Sequence, residues 1–132
     1  EAVSLTARGF QGGRDPYGDS WKELALRKGG KPLLDTRRLA RSITTELTAD
    51  GFRIGTNVLY ARVHQYGATI VPKVAKALRF SVGRGKKKRW FTRAKVVIPA
   101  RPFLPRDGEP PPAWTRAFER LLQATIAKYL AA

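Results

Sequence analysis

His64, followed by Gln65, has the side-chain type most often used as a general base near neutral pH. A base needs a nucleophile and an orienting group, and neither stands nearby in sequence. Only distant residues such as Asp15 or Ser42 could converge on it, so packing or hydrogen bonding is the favoured role. Gly83-Arg-Gly-Lys86 has the flavour of a phosphate-binding loop. That motif needs an earlier glycine where Phe80 stands and a hydroxyl residue where Lys87 stands, and it fails at both places. A nuclease would need clustered carboxylates, which here means convergence of Asp15, Asp19, Glu23, Asp35 and Glu46. With no cysteine and one histidine, neither a thiolate nor a histidine-rich metal site can form. The expectation is no catalytic residue, no cofactor and no metal.

Charge carries more information. The chain has 26 basic and 10 acidic residues, a net charge of +16. Between Gly51 and Arg106 there is no Asp or Glu, but 14 Lys or Arg, while the remainder is nearly neutral. One-sided charge confined to one block points to a polyanionic partner, nucleic acid above all. Solubility alone would be served better by acids. The densest part is Arg84, Lys86, Lys87, Lys88 and Arg89, with Arg93 a little further on. These six are the candidate contacts to a phosphate backbone, an attraction that is salt-dependent and indifferent to sequence. Solvent or an acidic protein is the competing neighbour for the same charges. Trp90 and Phe91 follow at once and would permit single-strand stacking, although strand alternation is expected to send at least one into the core. No apolar run approaches the ~20 residues of a membrane span, so no membrane partner is expected.

The elements that must position these residues read as α+β: a small, mostly antiparallel sheet built from two β-hairpins, with a long C-terminal helix packed on it. Residues 1–132 are expected to make one domain. The first ten residues read as the tail of a helix, and Gln11 to Ser20 as a loop. Trp21 to Lys28 reads as a short helix broken by Gly29-Gly30. Thr36 is placed to cap a helix that buries Leu39 and Ile43. Alternation on both sides of Asp50-Gly51 predicts a hairpin with a type I′ turn, pairing Ala49 with Phe52, Leu47 with Ile54 and Thr45 with Thr56. Asn57 is placed to cap a helix running through Tyr66, with Leu59, Val63 and Tyr66 on one face, ended by Gly67. A second, protruding hairpin spans about residues 73–98, outward along Leu78 to Val82 and back along Trp90 to Ile98, with the basic run at its tip. Ile98 to Leu104 is a proline-stiffened extended segment, and Arg106 to Pro112 a polar linker. Pro111 and Pro112 suit the start of the last helix, which follows with Trp114, Phe118, Leu121, Leu122, Ile126, Tyr129 and Leu130 in one stripe that must dock on the sheet or on a neighbouring subunit.

Two stretches carry a resemblance: Asn57-Val-Leu-Tyr-Ala-Arg-Val-His-Gln-Tyr-Gly67 and Ile98-Pro-Ala-Arg-Pro-Phe-Leu104. Taken in this order with Phe10, Asp15-Pro-Tyr-Gly18, Trp21 and the stretch from Leu34 to Ile43, the chain resembles the phage virion morphogenesis (tail completion) proteins of contractile and Mu-like tailed phages, which are related to the neck proteins of other long-tailed phages. The resemblance implies a structural virion protein without enzymatic activity, made in the host cytoplasm. It also implies a homo-oligomeric ring, a hexamer, at the head–tail junction or upper tail. Its partners would be connector or head-closure proteins, tail tube or terminator proteins, and packaged double-stranded DNA touched non-specifically. Trp21, Tyr60, His64, Gln65, Tyr66, Arg101, Pro102 and Phe103 are then expected to serve packing or subunit contacts, with Phe103 packed and Arg101 held for an ion pair, within the subunit or across a ring interface. The rival expectation is a protein that binds nucleic acid through its basic hairpin outside any particle.

Overall fold

A computed structural model describes residues 1–26, 29–34, 36–106 and 110–131. Helix α1 (Ala2–Gly12) buries Ala2, Thr6 and Phe10 at successive four-residue steps and closes on Gly13 in the left-handed conformation. A loop tied by the Asp15 carboxylate, which accepts from the amides of Tyr17 and Asp19 at 2.9 Å each, brings Trp21 back over this helix. Phe10, Trp21 and Phe103 meet at centroid separations of 5.6 and 5.4 Å around Phe10. Leu39, Ile43, Val58 and Ala61 complete the core.

The stretch after Trp21 differs from expectation. Residues 21–26 are not helical, and the expected helix end at Lys28 lies outside the described residues. The reason is long-range: the carbonyls of Lys22 and Glu23 accept hydrogen bonds from Arg101 at 2.8 and 3.0 Å. Helix α2 (Arg38–Arg41) is a single turn that buries Leu39, with Ile43 buried just beyond it. Its cap is Arg37 in the left-handed conformation, one residue after the expected Thr36, whose hydroxyl accepts from the Arg38 amide at 3.4 Å.

Strands β1 (Thr44–Thr48) and β2 (Gly51–Gly55) form the first hairpin, but in a different register. Leu47 lies opposite Phe52 and Thr45 opposite Ile54, so the turn is Ala49-Asp50. Neither turn residue has positive φ, so the type I′ geometry is not adopted. The Thr48 hydroxyl donates to the Asp50 carboxylate at 3.3 Å and braces the turn one residue early. Residues 45, 47, 52 and 54 still share one face, because moving each strand by one in opposite senses leaves the alternation unchanged.

Helix α3 (Ala61–Tyr66) is capped at Tyr60 and starts three residues later than expected, after a turn in which the Thr56 hydroxyl accepts from the Val58 amide at 3.1 Å. Its inward face is Val58, Ala61 and Gln65, while Leu59 is 98% exposed and Tyr66 points outward. The chain then enters β3 (Ala68–Ile70), β4 (Leu78–Val82), a 3-10 turn (Gly85–Lys87), β5 (Arg89–Arg93) and β6 (Val96–Ile98). β4 pairs with β5, and β6 pairs with β3. The returning stretch is therefore two strands with different partners. The fold is α+β with antiparallel hairpins, its described strands divided among three two-stranded ladders. Helix α4 (Pro112–Leu130) begins with proline at its first position. It meets the first hairpin through Phe118 against Phe52, with ring centroids 5.7 Å apart. Part of the expected linker before it, residues 107–109, lies outside the described residues.

Candidate functional site

The two motif stretches lie against one another and clamp the base of the basic excursion. β3 leaves directly after Gly67, and β6 returns directly before Pro99. At the end of α3 the His64 carbonyl, which lacks an intrahelical donor, accepts from the Arg101 amide at 2.7 Å. The Gln65 side chain serves three backbone groups. Its oxygen accepts from the amides of Phe103 and Leu104 at 3.0 and 3.1 Å, and its nitrogen donates to the Leu104 carbonyl at 2.9 Å. The Trp21 indole donates to the Pro102 carbonyl at 2.8 Å. Arg101 is 5% exposed and spends its guanidinium on the Lys22 and Glu23 carbonyls. Among the described residues of the single copy no carboxylate lies within ion-pair distance of Arg101. Burial draws its pKa down, but an arginine starts high enough to remain charged.

His64 packs edge-on against Tyr60 at 5.7 Å, and its Nδ1 is buried without a hydrogen-bond partner among the described residues. Burial, and secondarily the Arg101 charge, pushes its pKa below the ordinary value. The unfolded chain therefore takes up a proton before the native one does. Stability is complete above about pH 6.5 and falls as pH drops from there toward the lower folded-state pKa. The wild type is expected to lose melting temperature across that window and His64→Gln to lose less, as followed by thermal denaturation at stepped pH. Equal slopes would remove His64 from the acid response.

The excursion itself is amphipathic in an unusual sense. Ser81 faces Trp90 and Arg79 faces Thr92 across the ladder, so these four share one side. There the Arg79 guanidinium and the Lys88 ammonium each lie 4.9 Å from the Trp90 ring centroid. On the other side Phe80 stacks on Phe91 at 5.8 Å and 21°. The guanidiniums of Arg89 and Arg93 sit 5.5 and 5.4 Å from the Phe91 ring. Neither aromatic enters the core, contrary to expectation. Trp90 is 57% exposed, and Phe91 is half-buried against its own hairpin, because β4 and β5 pack chiefly on each other. The rings anchor cations, at roughly 0.5–1 kcal/mol per exposed pair. Trp90 is thus engaged by charge where a base would stack.

At the tip, Lys86 and Lys87 lie in the 3-10 turn, and Arg84, Lys86, Lys87, Lys88, Arg89 and Arg93 are all exposed. Gly83 makes the reversal possible with φ of 100°, and a Cβ there would stand 2.7 Å from the Lys87 carbonyl oxygen. Arg79 is the cation against Trp90 that the sequence reading did not single out. The signal was present in the alternation, which puts it on the Trp90 side of the ladder. The eight packing or interface candidates divide. Trp21, Gln65, Arg101, Pro102 and Phe103 join the clamp, His64 and Tyr60 border a cavity of about 270 Å³ with Arg101, and Tyr66 faces outward. Among the described residues no His, Cys, Asp or Glu group is arranged to hold a metal ion. No described helix is long and apolar enough to cross a membrane.

The profile of a family described as phage virion morphogenesis matches residues 2–130. The chain is also similar to the Mu-like prophage FluMu G protein 2 of Haemophilus influenzae, 39% identical over 101 residues, which cover 76% of this chain and 56% of that protein. The chain thus spans a little over half the length of the curated relative it matches. No solved structure matches it.

Proposed function

From a chain that belongs to the phage virion morphogenesis family, we propose a structural part of the neck or upper tail. Copies of the 132-residue unit form a ring, a hexamer, that joins head to tail, and the basic excursion of each copy reaches toward the packaged duplex. The observation that carries this reading is the clamped basic arm. Its root is held by buried hydrogen bonds, its cations ride on aromatic rings, and its acid-free sequence offers a duplex only positive potential. Such a lining attracts phosphate without reading bases. Weak, non-specific contact is what a channel needs if the genome is to leave again. The ring's neighbours would be connector or head-closure proteins on one side and tail tube or terminator proteins on the other.

A phage lacking this protein is expected to accumulate full heads and separate tails, counted by electron microscopy of lysates. Joined infectious particles would end the neck assignment. Replacing Lys86, Lys87 and Lys88 together by Ser is expected to spare folding, because all three are exposed, and to lower genome delivery per adsorbed particle. Normal infectivity would remove the tip from the mechanism.

The paired cations on Trp90 also favour a second reading, a protein that binds nucleic acid outside any particle. Micromolar or tighter binding by isolated monomer, weakening steeply with salt, would support it over the neck.

A further inference from the structure

Apart from the acid-free block, the chain has a second concentration of positive charge. Residues 27–41 hold six of the nine basic residues in 1–50 and one of the seven acidic ones, so the rest of that stretch is net acidic. Part of this charge stands on the rim of a groove of about 690 Å³ between α1 and the segment leading into α2. Leu39 and Ile43 anchor α2 in the core, and Arg37, Ala40 and Arg41 are left to line the groove. Leu34 and Ala40 give it an aliphatic floor beside Phe10, whose ring is 1% exposed and already packed on Trp21 and Phe103. Lys31, Arg37 and Arg41 are exposed at its edge. Among the described residues none of these three cations has an ion pair or a side-chain hydrogen bond.

We propose that this groove binds an extended acidic segment of another protein, with carboxylates on Lys31, Arg37 and Arg41 and an aliphatic side chain on the floor. The groove is a site apart from the basic arm, and its occupancy does not depend on the neck assignment. Three observations select the occupant. The first is spacing. The Arg41 amide donates to the Arg37 carbonyl at 3.0 Å, so the two arginines stand one helical turn apart, roughly 6 Å along the axis. An extended peptide repeats its same-side side chains at nearly that interval, ~7 Å. The second is the floor. Nucleic acid could satisfy the cations, but unpaired bases stack on exposed aromatic faces, and a duplex presents phosphate and sugar. Leu34 and Ala40 suit neither, whereas a Leu-sized side chain gains by burial against them. The third is conformation. Of the described residues other than glycine, only Leu33 and Arg37 have positive φ, 63° and 58°. Arginine is strained there and glycine is not, so the Arg37 cation is held at the rim against its backbone preference.

Fluorescence anisotropy of nuclease-treated protein with the labelled peptide Ser-Glu-Leu-Glu-Leu-Glu-Ser tests this. Wild type is expected to bind it, and to lose about fivefold or more in affinity when its glutamates become glutamine or its leucines serine. Arg37→Gly with Arg41→Ser should lose as much, while Lys86, Lys87 and Lys88 replaced by Ser should change affinity by less than about twofold. Arg37→Gly alone should weaken binding yet melt no lower than wild type, a combination that a purely structural Arg37 cannot give. No binding by wild type, groove variants that bind like wild type, loss caused by the arm variant, or a serine peptide as tight as the leucine one would each overturn the proposal. So would a short DNA duplex whose affinity falls as far as the peptide's in the groove variants, because the groove would then be a phosphate site. Self-association lost in those same variants would overturn it too, by making a second copy the occupant.

Discussion

Replacing Gln65 with Leu is expected to cost about 3 kcal/mol of folding stability. The two side chains are similar in size, so little cavity is created. The loss is electrostatic: the amides of Phe103 and Leu104 and the Leu104 carbonyl all lose their partner. Each buried group left unsatisfied costs ~1–3 kcal/mol, whereas a hydrogen bond exchanged for water costs far less. Phe103 is buried and Leu104 half-buried, so the Phe103 amide should account for the larger share. Urea unfolding would show the midpoint falling by about 1–2 M at an unchanged slope. A fall worth less than ~1 kcal/mol would mean that water replaces the lost partners and the clamp is not a closed one.

Gly67→Ala is expected to be at least as damaging, for two independent reasons. The residue sits at φ 75° and ψ 167°, a region essentially reserved for glycine, where any side chain adds ~1–3 kcal/mol of strain. A Cβ would also stand 2.9 Å from both the Ala100 nitrogen and the Ile98 oxygen. Those are backbone atoms at the root of β6, so relief requires the root itself to shift. We expect a loss of about 3 kcal/mol or more, with faster hydrogen exchange in the β3–β6 ladder. Gly12→Ala is the matched control. It lies in α1 with open space around it and no positive φ, and should gain ~0.5–1 kcal/mol. If the two alanines behave alike, close approach at Gly67 is not what joins the motifs.

Both substitutions act on the place where α3 and the segment 98–104 hold the arm. The β4–β5 ladder is a two-stranded ribbon, a form that is marginal by itself in water. Its aim is therefore set by its root, and a loosened root would displace the cations at the tip without altering any of them. In this way a buried cluster would govern a surface whose proposed work is electrostatic.

How much of this was legible in the amino-acid order depends on the range of the interaction. Alternation around residues 43–56 correctly placed 45, 47, 52 and 54 on one side, and the charge count located the basic arm. Proline at 112 and glycine at 67 marked a helix start and a helix end. Each of these depends on neighbours within a few residues, where backbone period and side-chain type act directly.

The remainder was decided in three dimensions. The first hairpin's register moved because pairing by alternation is ambiguous in steps of two, and an Asp50 contact chose among the options. Helix α3 turned its Gln65 face inward because acceptor and donor groups 38 and 39 residues away were waiting for that amide. Arg101 found carbonyls 78 and 79 residues away, and in doing so kept the stretch after Trp21 from coiling. Local periodicity says which side of an element is apolar. Only the assembled chain says which buried polar groups must be satisfied, and by whom.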